Sequence, residues 1–358
     1  MSGPVIHSVD QITPGWLTDV LHASGALEAG EVESIKAETT VRELSANVRL
    51  DVTYTAAARG PMPRRLFLKM VNIDMEEEFF GPSEVNYYAR DYAGVSGVPL
   101  IRAYDAVYSE SLGRYHVLMD DVTESHVPAY TKTPTLEYGM ALTEGLAVMH
   151  AHWWGRKRLD AAGAPIPGAA QIDRFVGMGR SGAEHILAAC AAELKPHWPA
   201  AIMALYEHHP GVMAARTRDG SGFTLIHGDV SGANVLVPVE GVRPLYIIDR
   251  QPFDWSLTTW LGVYDFTYAM VHRWDVEIRR RLEIPLLRHY HDHLLSRGVS
   301  GYVWEQLWHD YRLCAVMSVY VATEWCRGGV NWETHQYWMP MLQKAMTAID
   351  DLDCRDLW

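Results

Sequence analysis

Three stretches early in the chain alternate apolar and polar side chains: Val32 to Thr40, Val48 to Ala57 and Arg65 to Val71. A period of two puts every second side chain on one face, so each reads as a strand with one face toward a core. The Gly- and Pro-bearing segment from Ala58 to Pro63 reads as a turn between the last two. Two further strands fit Ile101 to Tyr108 and Tyr115 to Met119, with a hairpin turn at Ser111 to Arg114. Ahead of the strands, Trp16, Leu17, Val20 and Leu21 recur at helical spacing, with Thr13 as a cap, Pro14 at the first helical position and Gly25 as the stop. A helix is predicted over Ser83 to Tyr92. After Asp120 the period changes. Leu142, Leu146, Met149 and Trp153 share one face of a helix spanning Leu136 to Trp154. Gln171 to Leu194 and Ala200 to Ala215 are further helices, Ile226 to Ile248 is short β-like pieces and turns, and Ala161 to Pro167 is a loop. From Trp260 onward the chain reads as helical and rich in Trp and His. The pattern therefore predicts an α+β chain of two lobes: a β-rich N-terminal lobe over residues 1–120 and a mostly helical C-terminal lobe over 121–358.

Composition narrows the class. A chain of 358 residues has room for two compact units, and 48% hydrophobic with 21% charged residues is the ordinary globular balance. That excludes a disordered, collagen-like or coiled-coil chain. The formal net charge of −13 repels phosphate backbones, which points away from nucleic acid and toward a neutral or cationic ligand. Cys190, Cys314, Cys326 and Cys354 lie far apart with no CxxC pair, so free and mostly buried thiols in a reducing compartment are expected. Met1 to Asp10 lacks the basic start and apolar run of a signal peptide. The longest apolar stretch, Leu313 to Ala322, falls well short of the ~20 residues of a membrane span. A soluble cytoplasmic protein is the expectation. His289 and His293 would share a helix face that His291 does not, and without an HExxH pattern a zinc site is not favoured.

The sharpest chemical signal is the run from Leu225 to Val237. Apolar residues lead in and out of His227, Gly228, Asp229 and, five positions later, Asn234. A second acid, Asp249, follows the apolar run Leu245 to Ile248. Phosphoryl transfer uses such a set: one carboxylate orients the acceptor hydroxyl and takes its proton, while an amide oxygen and a second carboxylate hold Mg²⁺. Taken alone, Asp229 and Asn234 are also good turn residues. The flanking buried-strand patterns and Asp249 favour the chemical reading.

With these residues in place, the chain resembles the aminoglycoside phosphotransferase and choline kinase group, small-molecule relatives of the protein kinases. The HGDxxxxN run with the later Asp looks like that group's catalytic and metal loops. Leu66 to Met70 is similar to the strand carrying the phosphate-binding lysine, here Lys69, and Ser83 to Tyr88 to the helix whose glutamate pairs with it, here Glu84. Val117 to Val122 resembles the hinge, where Met119 and Asp120 would meet the adenine. Gly262 to Tyr268 resembles the element carrying a structural acid, here Asp265. The resemblance spans roughly Thr40 to Met270. It implies a protein-kinase-like fold, ATP bound between the lobes, Asp229 as the base, and Asn234 and Asp249 as ligands of Mg²⁺. Two departures stand out. The loop Arg42 to Arg49 has no glycine, leaving Ser45 and Asn47 as candidates to grip phosphate. Arg250 follows Asp249 where relatives often carry an aromatic; it either draws phosphate charge inward or pairs with an acid such as Asp254.

The expectation is an ATP-dependent kinase acting on a hydroxyl of a small molecule. A non-catalytic nucleotide-binding module, or a kinase-fold enzyme with a protein acceptor or nucleotidyl transfer, stays open as an alternative. The acceptor is expected near the helices after Trp260. Glu324 and Trp325 are the first candidates, because they close an otherwise apolar helix, and Trp274 and Asp275 the next.

Overall fold

The computed structural model describes residues 4–42, 45–71 and 80–358. Glu43 and Leu44, part of the glycine-free loop, lie outside the described residues. The chain forms two compact units: residues 1–127 with 238–254, and residues 128–237 with 255–358. The first unit thus continues past residue 120 and takes in the segment that carries Asp249.

In the first unit the period-two stretches are strands. β1 (Val32–Val41), β2 (Ser45–Tyr54), β3 (Arg65–Val71), β4 (Ala103–Ser109) and β5 (Arg114–Asp120) form one antiparallel sheet in the order β1-β2-β3-β5-β4. The predicted second strand ends three residues early, because Ala58 donates its backbone N–H back to Thr55 and turns the chain. Helix α1 (Pro14–Ala23) begins as read, with the Thr13 hydroxyl accepting from the Trp16 N–H at 3.1 Å. Its Leu17 and Leu21 join Val48, Leu50, Leu66, Leu68 and Met70 in a core on one face of the sheet. Alternation then leaves Lys69 on the other face. Asn47 pairs opposite Lys69, and Met119 opposite Phe67, so all four share that face.

The helix predicted over 83–92 is shorter and irregular. α2 (Ser83–Asn86) is followed by a wider π-type turn over Tyr87–Asp91. Tyr87 packs edge-on against both Tyr88 and Tyr92, contacts that a regular helical spacing does not supply to neighbours one and five apart.

The second unit is helical: α3 (Leu136–His152), α4 (Arg156–Ala161), α5 (Ala169–Cys190), α6 (Trp198–Arg216), α7 (Val263–Arg273), α8 (Val276–Ser296), α9 (Trp304–Glu324) and α10 (His335–Asp351). Every residue from Leu313 to Tyr320 is buried, so the apolar run is the middle of a core helix, with α5, α7 and α10 against it. Short elements escaped the pattern, among them one helix and one strand of this unit. One is α4. The other is the strand Thr259–Leu261, which pairs antiparallel with Phe223–Leu225 where the sequence reads as the start of a helix. No helix among the described residues is long and apolar enough to cross a membrane. All four cysteines are free and buried.

Candidate active site

Each unit presents one group of chemistry-bearing side chains. In the first, the Lys69 ammonium donates to both Glu84 oxygens, at 2.9 and 2.8 Å, and to Asp249 Oδ1 at 2.8 Å. Glu84 is 1% exposed and also accepts a short hydrogen bond from the Tyr115 hydroxyl. Burial by itself would strip the proton from Lys69, but the charges of Asp249 and Glu84 outweigh it and raise its pKa. Burial pushes the Glu84 carboxyl up against the pull of Lys69. The Asp249 side chain is 43% exposed, and its backbone sits at φ 59°, left-handed for a residue other than glycine. Such strain clusters where a side chain must be aimed. Ser45 and Asn47 touch at 3.4 Å at the start of β2, beside Lys69 in register. Met119 is buried at the end of β5, while the Asp120 N–H donates to the Arg102 carbonyl at 3.0 Å and its carboxylate accepts from the Tyr104 hydroxyl at 2.6 Å. Arg250 resolves to the second of its two readings. It is 3% exposed and donates to Asp91 Oδ2 at 2.5 Å, an acid that the sequence did not single out.

In the second unit the loop after Phe223–Leu225 is held from beneath by Asp265. Its two oxygens accept from the backbone N–H groups of His227 at 2.6 Å and Gly228 at 2.8 Å, and one meets His150 Nε2 at 3.1 Å. Burial pushes the Asp265 carboxyl up, yet the hydrogen bond and charge of His150 and the Gly228 N–H prevail and hold it below the usual range. Gly228 takes φ +84°, the conformation that turns the chain so that Asp229 follows at once. His227 is buried, and its Nδ1 accepts from the Asp229 N–H at 3.3 Å, a loop-holding position. Asn234 donates through Nδ2 to the Asp229 backbone oxygen at 3.0 Å and to its carboxylate at 2.9 Å. Tyr268 of α7, which sequence reasoning missed, has its pKa raised well above normal by burial and by the Asp229 charge. Its one sequence signal is its place a helical turn after Asp265.

Of the acceptor candidates, Trp274 and Asp275 line a cleft of about 330 Å³ together with Tyr130, Lys132, Gly232 and Arg273. Glu324 and Trp325 end α9 and do not line it; Glu324 lies 3.8 Å from Arg327, and Trp325 is 40% exposed.

No family model matches the sequence, and a comparison with curated proteins finds none that matches. Solved structures do match. An ethanolamine kinase of Plasmodium vivax superposes with a TM-score of 0.56 at 10% identity, covering 91% of this chain and 85% of that one. A choline kinase of Cryptosporidium parvum gives 0.56 at 8% identity, over 90% of this chain and 91% of that one. A spectinomycin phosphotransferase, solved with ADP and spectinomycin, gives 0.53 at 12% identity, over 94% and 99%. This likeness defines the class by fold: the chain has the protein-kinase-like α+β fold of those small-molecule kinases, with a β-rich N-terminal part and a helical C-terminal part. At the level of fold it bears out the resemblance carried by the motifs.

Proposed function

We propose that this protein is a small-molecule kinase of the aminoglycoside phosphotransferase and choline kinase group, moving the γ-phosphoryl group of ATP to an alcohol. The observation that carries the reading is a part-buried lysine, Lys69, shared between Glu84 and Asp249. A solvated lysine needs no such partners. One held by two carboxylates is fixed in place for a polyphosphate. Asp229, oriented by Asn234, takes the acceptor proton as the hydroxyl attacks. Asp265 keeps its loop in shape through the two backbone N–H groups.

The donor set fits Mg²⁺. Asn234 commits only its nitrogen to Asp229, which leaves its amide oxygen for a hard cation. Asp249 is a half-exposed carboxylate, the hard oxygen donor that Mg²⁺ takes. When bound, the ion would neutralise phosphate charge; Asn234 and Asp249 are the residues that would hold it. The nucleobase is assigned to the end of β5, at Met119 and Asp120.

The test is a screen of hydroxylated metabolites and antibiotics with Mg·ATP, read as a phosphoryl mass shift on the acceptor. Asp229→Ala should bind ATP nearly as well as the parent and lose roughly 10²–10⁴ in turnover. Near-normal turnover in that variant would refute the assignment. ATP binding with no product from any acceptor would favour the nucleotide-binding module.

A further inference from the structure

The cleft next to the Asp229 loop has the wrong charge for an amine. Its walls come from the segment before α3 (Tyr130, Lys132, Pro134), from Gly232 of the loop itself, and from the end of α7 (Ala269, Arg273, Trp274). It adjoins the reacting group on two sides. Gly232 lies three residues after Asp229, and Ala269 follows Tyr268, whose phenol feels the Asp229 charge. The Tyr130 N–H donates to the Gly232 carbonyl at 3.0 Å, and a Cβ on Gly232 would come within 3.2 Å of Tyr130, so the loop and the wall are one packed piece.

The charges around this cleft are Lys132 and Arg273 against one acid, Asp275. Lys344 donates to the Arg273 carbonyl at 3.1 Å, which brings a further cation beside that wall. Asp275 is also the N-cap residue of the 21-residue helix α8, and its side chain does not cap it, so the positive end of that helix opens at the same rim. The one acid of the first turn, Glu277, is turned to Arg280 at 2.6 Å. Three aromatic residues, Tyr130, Tyr138 and Trp274, line it as well, beside small and hydroxyl-bearing ones.

We propose that this cleft receives the acceptor through a negatively charged group, carboxylate or phosphate, on an apolar or aromatic body, with Lys132 and Arg273 as the residues that select it. The inference rests on the phosphotransferase reading for its use, and on the cleft alone for its charge preference. It reverses the expectation drawn from the net charge of −13, because the local field at a site outweighs that of a distant, screened surface.

The experiment compares ω-hydroxyalkanoates of graded chain length, and ω-hydroxyalkyl phosphates, with diols and amino alcohols of equal length. Product mass is read with Mg·ATP, and binding is read by calorimetry with ADP present. The expected result is a kcat/KM about tenfold or more higher for the anionic members, with carboxylate against phosphate ranked by the two anionic series. Lys132→Ala and Arg273→Ala should each raise the acceptor KM about tenfold and leave the KM for ATP unchanged, and Lys132→Glu should turn the preference toward the amino alcohols. Turnover that ignores acceptor charge, or variants that ignore it, overturns the cleft assignment while the kinase reading stands. If no acceptor is turned over, calorimetry decides. Hydroxyalkanoate or hydroxyalkyl phosphate binding that Lys132→Glu abolishes supports the cleft with the kinase reading lost, and absence of such binding overturns the cleft as well.

Discussion

At the scale of single residues, Arg250 shows how a contact settles what a sequence leaves open. Beside Asp249 it could have served phosphate. Buried against Asp91, it serves the fold. Arg250→Met should therefore cost about 1–3 kcal/mol in urea denaturation, because it removes a buried charge-assisted hydrogen bond from Asp91 while Arg90 stays beside it at 2.9 Å, and the KM for ATP of the protein that remains folded should stay near the parent value. Two histidines give a pH prediction. Burial lowers His209 and His272 from an ordinary 6.5 to about 3. Both stay neutral in the native state while the unfolded chain takes up protons below about pH 6.5, so unfolding becomes easier as pH falls. Stability from this source is complete above pH 6.5 and is lost progressively toward pH 3, by up to about 1.4 kcal/mol per pH unit for each histidine. His272 stacks on Tyr268 with ring centroids 4.5 Å apart, and neither ring nitrogen has a hydrogen-bond partner among the described residues. His272→Phe should keep the stack, remove one titrating group, and give a shallower fall of urea midpoint between pH 6 and 4.

At the scale of elements, the helices of the second unit touch through missing side chains. A Cβ on Gly182 of α5 would lie 1.9 Å from the Thr323 carbonyl of α9, and one on Gly179 would lie 2.5 Å from the Tyr206 hydroxyl. Backbone cannot yield as a side-chain tip can. Gly182→Ala should destabilise by about 1–3 kcal/mol or more despite its better helix propensity, as thermal unfolding would show. Gly177→Ala, in the same helix with open space around it, should be neutral or slightly stabilising. The periodic elements were legible in the sequence because each is long enough to repeat its period: α1, α3, α5, α6 and the five strands all fall within a few residues of their predicted spans. Helix α4, the pairing of Phe223–Leu225 with Thr259–Leu261, and the π-type turn at Tyr87 were not, since three to six residues carry no period.

At the scale of the whole molecule, nucleotide binding should appear as stability. A ligand that binds only the native state adds RT ln(1 + [L]/Kd), about 2.7 kcal/mol at a hundredfold excess over Kd. Mg·ATP at that excess should raise Tm by several degrees; ATP with a chelator should raise it less. Asp249→Asn should abolish the difference between the two, because the charge that favours the metal is gone while Lys69 keeps Glu84. An equal shift with and without Mg²⁺ in the parent protein would refute the metal assignment.

What the sequence alone determined is what local order can encode. Period two and period 3.6 marked the elements, and the spacing of Asp229, Asn234 and Asp249 carried the chemistry proposed here, because those groups sit on loops beside apolar runs. Lys69 and Glu84 were legible for the same reason, as a strand and the helix that follows it. The tertiary structure alone decided which distant residues meet. Tyr115 against Glu84, Asp91 against Arg250, and Lys132 with Arg273 around one cleft are joined across 31 to 159 positions, or lie on separate elements with no shared motif. A side chain's partner across the fold depends on packing and register, which a one-dimensional pattern does not carry. For that reason the proposed reacting groups could be named from the chain, whereas the charges lining the cleft could be read only from the fold.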